Sequence, residues 1–383
     1  HNALKRPNVV FILVDDSGYN DIGYHNRSQE QLPRIRTPHI DALADSGIKL
    51  TNYYVQPICT PSRAALMTGR YPIRYGVNGF TISAEAPWGI PLSEVFMPQF
   101  FKEAGYVTAM FGKWHLGFFK PHYLPTHRGF DRQSGIYNAM ADHFTHEIRG
   151  GYDWHVNDES RFLARGHYSG ELVRDDAVAF IEEMSRNSSS SFFLYIPFQE
   201  AHSPYQAPQR YLEMYPELTF WPARQNLAGM LSHNDAMVGE IATALKRTGL
   251  MNNTILVFSA DNGGPGGQEG VPTPSQFDPA VIERNWPFRG QKHEVYEGGV
   301  RSAAFVYSPL LPADTAGTTV DSLFHITDWL PTLLHAAGIG GSHFQSSLDG
   351  QDLWECLLGH RDRCTRQEVL LNFNTVCDEG VLA

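Results

Sequence analysis

Cys59-Thr60-Pro61-Ser62-Arg63 stands at the head of a helical pattern. Pro61 suits a first helical turn, where its missing N–H costs nothing. Ala64 to Met67 can propagate that helix and Gly69 can end it. Cys59 is thereby expected at the positive end of a helix dipole, with Arg63 one turn inside. Such a place lowers a thiol pKa and stabilises an anion. A cysteine before a helix is also often a small hydrophobe, so the other reactive residues decide between the two. They are Asp15-Asp16, Lys113 and His115, His202, Asp261-Asn262 and Lys292. Lys113 and His115 are two apart and share one side of an extended segment. Asp15, Asp16, Asp261 and Asn262 offer only oxygen, which suits calcium or magnesium rather than zinc. Arg63, Lys113, His115, His202 and Lys292 can carry positive charge. Together with a cation they suit a small, multiply oxygenated anion, as in sulfate or phosphate esters.

These residues need elements to bring them together. Asn8 to Val14 reads as a strand buried on both faces, and it stops at Asp15-Asp16. Tyr106 to Phe111 is a strand running into Gly112-Lys113-Trp114-His115. Phe192 to Phe198 leads to His202, and Thr254 to Phe258 to Asp261-Asn262-Gly263-Gly264. Ser302 to Tyr307 is a fifth strand. Helical patterns lie between them: Thr37 to Gly47, Ser93 to Ala104 (Val95, Phe96, Phe100 and Phe101 inward), Gly170 to Ser185, Leu227 to Leu250 and Ile326 to Ala337. Alternating strands and helices predict an α/β fold with a largely parallel sheet. Ligands of such sheets bind beyond the carboxyl ends of the strands, so all the polar strand ends are expected on one edge. Glu368 to Phe373 reads as one more strand. His122, His127, His143, His146 and His155 show no metal-ligand spacing.

The chain has 383 residues, 42% of them hydrophobic, enough for one large domain plus a smaller one. Its net charge of −11, without a basic run, argues against nucleic-acid binding. No apolar run is long enough to span a bilayer. His1 to Arg6 do not look like a signal peptide, so a mature or trimmed form is expected. If Cys59 is reserved for chemistry, Cys356 and Cys364 are close enough to close a short loop, which leaves Cys377 without a partner. Sequons at Asn26, Asn187 and Asn252 lie in polar, turn-like stretches where glycans could sit.

Cys59 to Arg63 with the downstream Thr68-Gly69-Arg70 resembles the signature of type I sulfatases. Asp15-Asp16, Gly112 to Gly117, His202, Asp261 to Gly264 and Lys292 match the family pattern in order. Thr37 to Gly76, Arg128 to Asp131, Glu297 to Arg301 and Asp328 to Thr332 look most like the arylsulfatase B (N-acetylgalactosamine-4-sulfatase) group. The resemblance implies an alkaline-phosphatase-like sandwich, a large, mostly parallel sheet flanked by helices. It also implies a catalytic domain over 1–365 and, at 366–383, the start of a small antiparallel C-terminal subdomain.

The resemblance implies, further, that a formylglycine-generating enzyme converts Cys59 to an aldehyde. Calcium, or less fittingly magnesium, would be held by Asp15, Asp16, Asp261, Asn262 and the modified residue 59. One hydroxyl of the hydrated aldehyde would attack sulfur, with His202 or Lys292 assisting the leaving alcohol. His115 would take the second hydroxyl's proton, and Arg63 and Lys113 would hold the developing charge. The implied substrate is a sulfated glycan or aryl sulfate, and the implied location lysosomal or secreted. Two other readings use the same residues: a phosphodiesterase or phosphonate hydrolase with the same metal edge, and a non-catalytic binder of sulfated glycans with an unmodified Cys59.

Overall fold

A computed structural model describes residues 6–26, 33–186, 190–266, 285–340 and 348–371. The central strand is β1 (Asn8–Val14), buried at every position. Val9, Phe11 and Leu13 enter one apolar core, and Val10, Ile12 and Val14 enter another. A strand of period two with a core on each face must be apolar throughout, which is why this segment reads as an unbroken run. Each fully buried side chain of this kind contributes about 1.5–3 kcal/mol.

Ten strands form the main sheet. Their spatial order is β10 (Thr319–Val320), β2 (Ile48–Leu50), β9 (Ala304–Tyr307), β8 (Thr254–Ala260), β1, β7 (Phe192–Pro197), β3 (Val107–Phe111), β4 (Arg132–Gly135), β5 (His155–Val156) and β6 (Glu159–Ser160). The five strands from β8 to β4 run parallel. The fifth predicted strand, β9, is present but antiparallel to both β8 and β2. On the Phe11 face lie α2 (Cys59–Thr68), α3 (Met97–Glu103) and α6 (Trp329–Ala336). On the Ile12 face lie α1 (Pro38–Ser46), α4 (Ser169–Arg186) and α5 (Pro222–Arg247). This is the expected helix–sheet–helix sandwich.

Three expectations shift. The helix predicted from Ser93 begins only at Met97, because Pro98 fits a first turn and not an interior. Val95 therefore lies outside it and is exposed, while Phe96, Phe100 and Phe101 are buried as expected. The long helix starts five residues early, with Pro222 at its first position. The strand expected over Glu368–Phe373 is absent from its described part, residues 368–371. Side chains take the bonds that a ladder would use there. The Tyr71 hydroxyl accepts from Leu370 N (3.2 Å), and the buried Arg366 guanidinium, itself held by the Asp328 carboxylate at 2.7 and 2.5 Å, donates to Glu368 O (2.9 Å). Residues 372–373 and Cys377 lie outside the described residues. Cys356 and Cys364 form a disulfide, with Cα atoms 4.9 Å apart.

Candidate active site

Because β8, β1, β7 and β3 are parallel neighbours, their carboxyl ends share one edge. Asp261 and Asn262 follow β8, Asp15 and Asp16 follow β1, Lys113 and His115 follow β3, and His202 lies just past β7. The turns are tight. Asp16 and His115 hold left-handed backbone, with φ of +49° and +59°, which non-glycine residues adopt rarely. Gly112 has a φ of +131°, and a Cβ there would come within 2.0 Å of the Pro197 carbonyl oxygen. Only glycine allows β3 to leave the sheet so close to β7.

α2 enters from the Phe11 face with Cys59 in its first turn and Gly69 closing it at φ +63°. Ser62 Oγ accepts from Gln56 N (2.9 Å) and donates to Gln56 O (3.0 Å), which ties the approach to the helix. Arg63, one turn in, is fully buried. It donates from Nε to Asp261 Oδ2 (3.0 Å) and from Nη1 to Lys113 O (3.0 Å), and its Nη2 lies 3.4 Å from Asp15 Oδ2. Lys113 Nζ donates to Asp15 Oδ2 at 2.5 Å. Lys292 Nζ donates to Asp16 Oδ2 (2.7 Å) and lies 3.1 Å from His202 Nε2. Asn262 Nδ2 donates to Asp16 Oδ1 (2.7 Å), and Asp16 N donates to Asp261 Oδ1 (3.2 Å).

Two histidines have assigned roles in this network. His202 Nδ1 donates to Ser203 O (2.8 Å), which leaves Nε2 as the acceptor from Lys292. His115 Nε2 donates to Ile82 O (3.0 Å), so Nδ1 carries the lone pair. That atom is buried without a hydrogen-bond partner among the described residues. Burial, then Lys113 and Arg63, push His115 well below the usual histidine range. It is therefore an unprotonated base at neutral pH. Burial and Lys292 likewise lower His202. Burial opposes the charge on Lys292, but Asp16 outweighs it and the ammonium is held.

Cys59 departs from expectation. Burial pushes its thiol up, and the cations Lys113 and Lys292 only partly oppose this. The helix end does not create a thiolate, because removing the sulfur from water costs more than one helix turn returns. An ordinary cysteine nucleophile is poorly served here.

Asp15, Asp16 and Asp261 each present an oxygen within 4.8 Å of the others, all three buried. Three carboxylates face three cations, Arg63, Lys113 and Lys292. The balance is incomplete at Asp261, where burial and then the neighbouring Asp15 raise its pKa to about 7. Asp15 Oδ1 and Asn262 Oδ1 are buried without partners among the described residues. Orphaned oxygens beside an under-compensated carboxyl fit a hard divalent cation. Such an ion would turn a neutral cluster into a positive one.

All ten residues picked out in the sequence thus meet in one pocket. Sequence reasoning missed Thr60. Its hydroxyl donates to His115 O (3.1 Å) and accepts from Ile82 N (3.2 Å), joining three segments at the His115 turn. Its place between Cys59 and Pro61 was the available signal. A cleft of about 510 Å³, lined by Phe118, Lys120, Tyr137 and Arg149 among others, lies beside this turn, where His115 N donates to Tyr137 O (3.0 Å). Of the unassigned histidines, His127 and His155 pair with Asp158 and Asp153, away from the cluster. Asn252 is exposed and Asn26 buried, while Asn187 lies outside the described residues.

The family model described as "Sulfatase" matches residues 7–339. Mouse arylsulfatase J is 39% identical over 378 residues, which cover 97% of this chain and 59% of that protein. Human arylsulfatase A is 32% identical, covering 93% of this chain and 68% of that protein. The chain thus spans three-fifths to two-thirds of the length of these two relatives. Among solved structures, Ps i-CgsB in complex with k-i-k-neocarrahexaose superposes with a TM-score of 0.81 at 29% identity, covering 93% of this chain and 77% of that one.

Proposed function

The chain belongs to the sulfatase family, and from that premise we propose that it hydrolyses sulfate monoesters of a sulfated glycan or an aryl sulfate, using an aldehyde made from Cys59. The observation that carries this reading is the convergence of four parallel strand ends and the start of α2 on one pocket. Three carboxylates and three cations are buried there around a sulfur that is not a thiolate. Formylglycine at position 59 explains that contradiction, since an aldehyde needs no ionised sulfur. Once hydrated, it would supply one hydroxyl to attack sulfur, releasing the alcohol, and a second whose deprotonation re-forms the aldehyde and expels sulfate. Calcium, held by Asp15, Asp16, Asp261, Asn262 and residue 59, would polarise sulfate and aldehyde alike.

The chain's own groups have defined tasks. Arg63 and Lys113 fix the geometry of Asp15 and Asp261 and supply charge where negative charge develops. His115 Nδ1 is free to accept a proton, because Nε2 is engaged by Ile82. Asp16 holds the proton on Lys292 at neutral pH, and His202 Nε2 lies 3.1 Å from that ammonium, so the two are placed together for a departing alcohol. The open cleft beside His115 offers room for the body of a sugar or aryl group.

The stretches Thr37–Gly76 and Glu297–Arg301 support a finer likeness to the arylsulfatase B group. The disulfide and the exposed sequon at Asn252 support a lysosomal or secreted setting, with maturation by a formylglycine-generating enzyme. No described helix is long and apolar enough to cross a membrane. The test has two parts. The mass of the peptide containing residue 59 should show the aldehyde, and 4-nitrophenyl sulfate should be turned over in preference to the matching phosphate and phosphonate esters. A strong phosphate or phosphonate preference would replace the sulfatase reading with that of a phospho- or phosphonohydrolase. An intact thiol without turnover would leave only a binding role.

A further inference from the structure

Behind the His202 turn lies a second set of buried ionisable groups that the chemistry above does not use. Glu200, His233, His143 and Ser169 are all inaccessible to solvent or nearly so. His233, midway along α5, brings Nδ1 to 3.1 Å from Glu200 Oε1. The rings of Tyr168 and Tyr211 stand edge-on to His233, with centroids 4.7 and 5.1 Å away. A carboxylate without solvent is tolerated only when paired, so Glu200 and His233 act as a unit. At Gly170, in the first turn of α4, a Cβ would come within 2.0 Å of Glu200 Oε1 and 2.6 Å of His233 Cε1. The helix lacks a side chain where the pair needs room.

The pair sits on a segment that touches both halves of the pocket. Asp15 N donates to Glu200 O (2.9 Å) and Ala201 N to Asp15 O (2.7 Å), so this main chain is clamped to the backbone of Asp15, whose carboxylate belongs to the cation cluster. His202 comes next. Its carbonyl accepts from His143 Nε2 (3.3 Å), while His143 Nδ1 accepts from Ser169 Oγ (2.8 Å), which fixes the tautomer. Three contacts therefore fasten one short turn: to α5 through Glu200, to α4 through His143 and Ser169, and to β1 through the backbone.

We propose that the close-packed Glu200–His233 contact, flanked by His143, is a positioning device that anchors residues 199–203 to α5 and α4 and thereby sets the places of Asp15 and His202. The proposal rests on the sulfatase reading. None of the four side chains is required to touch substrate, so they are positioning residues.

The test compares Glu200→Gln, His233→Gln and their double variant in the full protein. Turnover of 4-nitrophenyl sulfate is normalised to folded, aldehyde-bearing molecules. Each single change should lower kcat about ten- to a hundredfold while KM stays within about twofold, because misplacement by a fraction of an ångström costs rate rather than binding. In the double variant two amides can bond to each other, so its loss should not exceed that of either single variant. His143→Leu should give the same kcat-only loss, and His143→Gln, which keeps an N–H for the His202 carbonyl, should recover most of it. A merely structural role predicts lower stability with unchanged kcat per folded molecule. Unchanged kcat in the double variant and in His143→Leu overturns the proposal even if the single variants fail to fold. Loss of folding in every variant, with no folded form of lower kcat, overturns it too. A wild-type protein that carries the aldehyde yet hydrolyses no sulfate ester would instead sink the underlying reading.

Discussion

Replacing Asp261 by asparagine tests whether the acidic cluster is built for a cation or is a finished ion-pair network. Without a cation, burial and Asp15 raise the Asp261 carboxyl from 3.8 to about 7. The folded state therefore keeps a proton that the unfolded chain has released. Stability falls as pH rises from 3.8 towards 7, and the full penalty is present above that. At 1.36 kcal/mol per pH unit the penalty is about 4 kcal/mol at pH 8. Asparagine has nearly the same shape and cannot ionise. In a chelator at pH 8, Asp261→Asn should thus be more stable than wild type, by up to about 4 kcal/mol, with little difference near pH 4. Calcium should reverse the order. At about a thousandfold over Kd it adds roughly 4 kcal/mol to wild type, and it should add far less to a variant lacking one anionic ligand. Urea unfolding at both pH values, with chelator and with calcium, measures all four quantities. If Asp261→Asn is markedly less stable than wild type in chelator at pH 8, Asp261 is fully compensated by Arg63, and the argument for an incomplete cluster is wrong.

Three further outcomes follow from the geometry. Cys59→Ala should abolish turnover and change unfolding free energy by no more than about 1 kcal/mol, since a small buried side chain gives way to a slightly smaller one; retained activity would refute the nucleophile assignment. His115→Gln should lower kcat by about 10²–10⁴ with a smaller change in KM, because the free Nδ1 lone pair is lost; an equal loss in Ile82-side variants that leave the imidazole in place would point to packing instead. Gly112→Ala should cost about 3 kcal/mol or more in urea unfolding, as its Cβ meets the Pro197 carbonyl and its φ is left-handed; a shift under about 1 kcal/mol would show that the crossing of β3 and β7 can relax.

Much of the site was legible because its residues follow strands whose apolar runs are unmistakable. Once β1, β3, β7 and β8 are parallel, Asp15, Lys113, His202 and Asp261 must share an edge, and no long-range information is needed. Other features depend on packing that spacing does not encode. The helix start at Cys59 favours a thiolate locally, but deep burial reverses the direction of the shift. The antiparallel course of β9 follows from its connection, not from its composition. The Glu200–His233 pair joins residues 33 apart on different elements, each of which alone looks like an ordinary polar residue. At the C-terminal end, the apolar stretch from Glu368 reads as a strand, but the Tyr71 hydroxyl takes Leu370 N and the Arg366 guanidinium takes Glu368 O.

The alternation of β1 between two cores has a consequence for assembly. Its backbone is bonded to β7 on one side and β8 on the other, with Ile12 opposite Ile196 and Phe258. A slip of one residue would send every side chain of the strand into the wrong core. It would also carry Asp15 and Asp16 about 3.3 Å along the sheet, away from Arg63 and Lys292. The same mismatch that penalises a misfolded core thus disarms the pocket. A chain that folds with β1 out of step gains no partly competent centre, so correct alignment of the apolar strand also proofreads the site at its end.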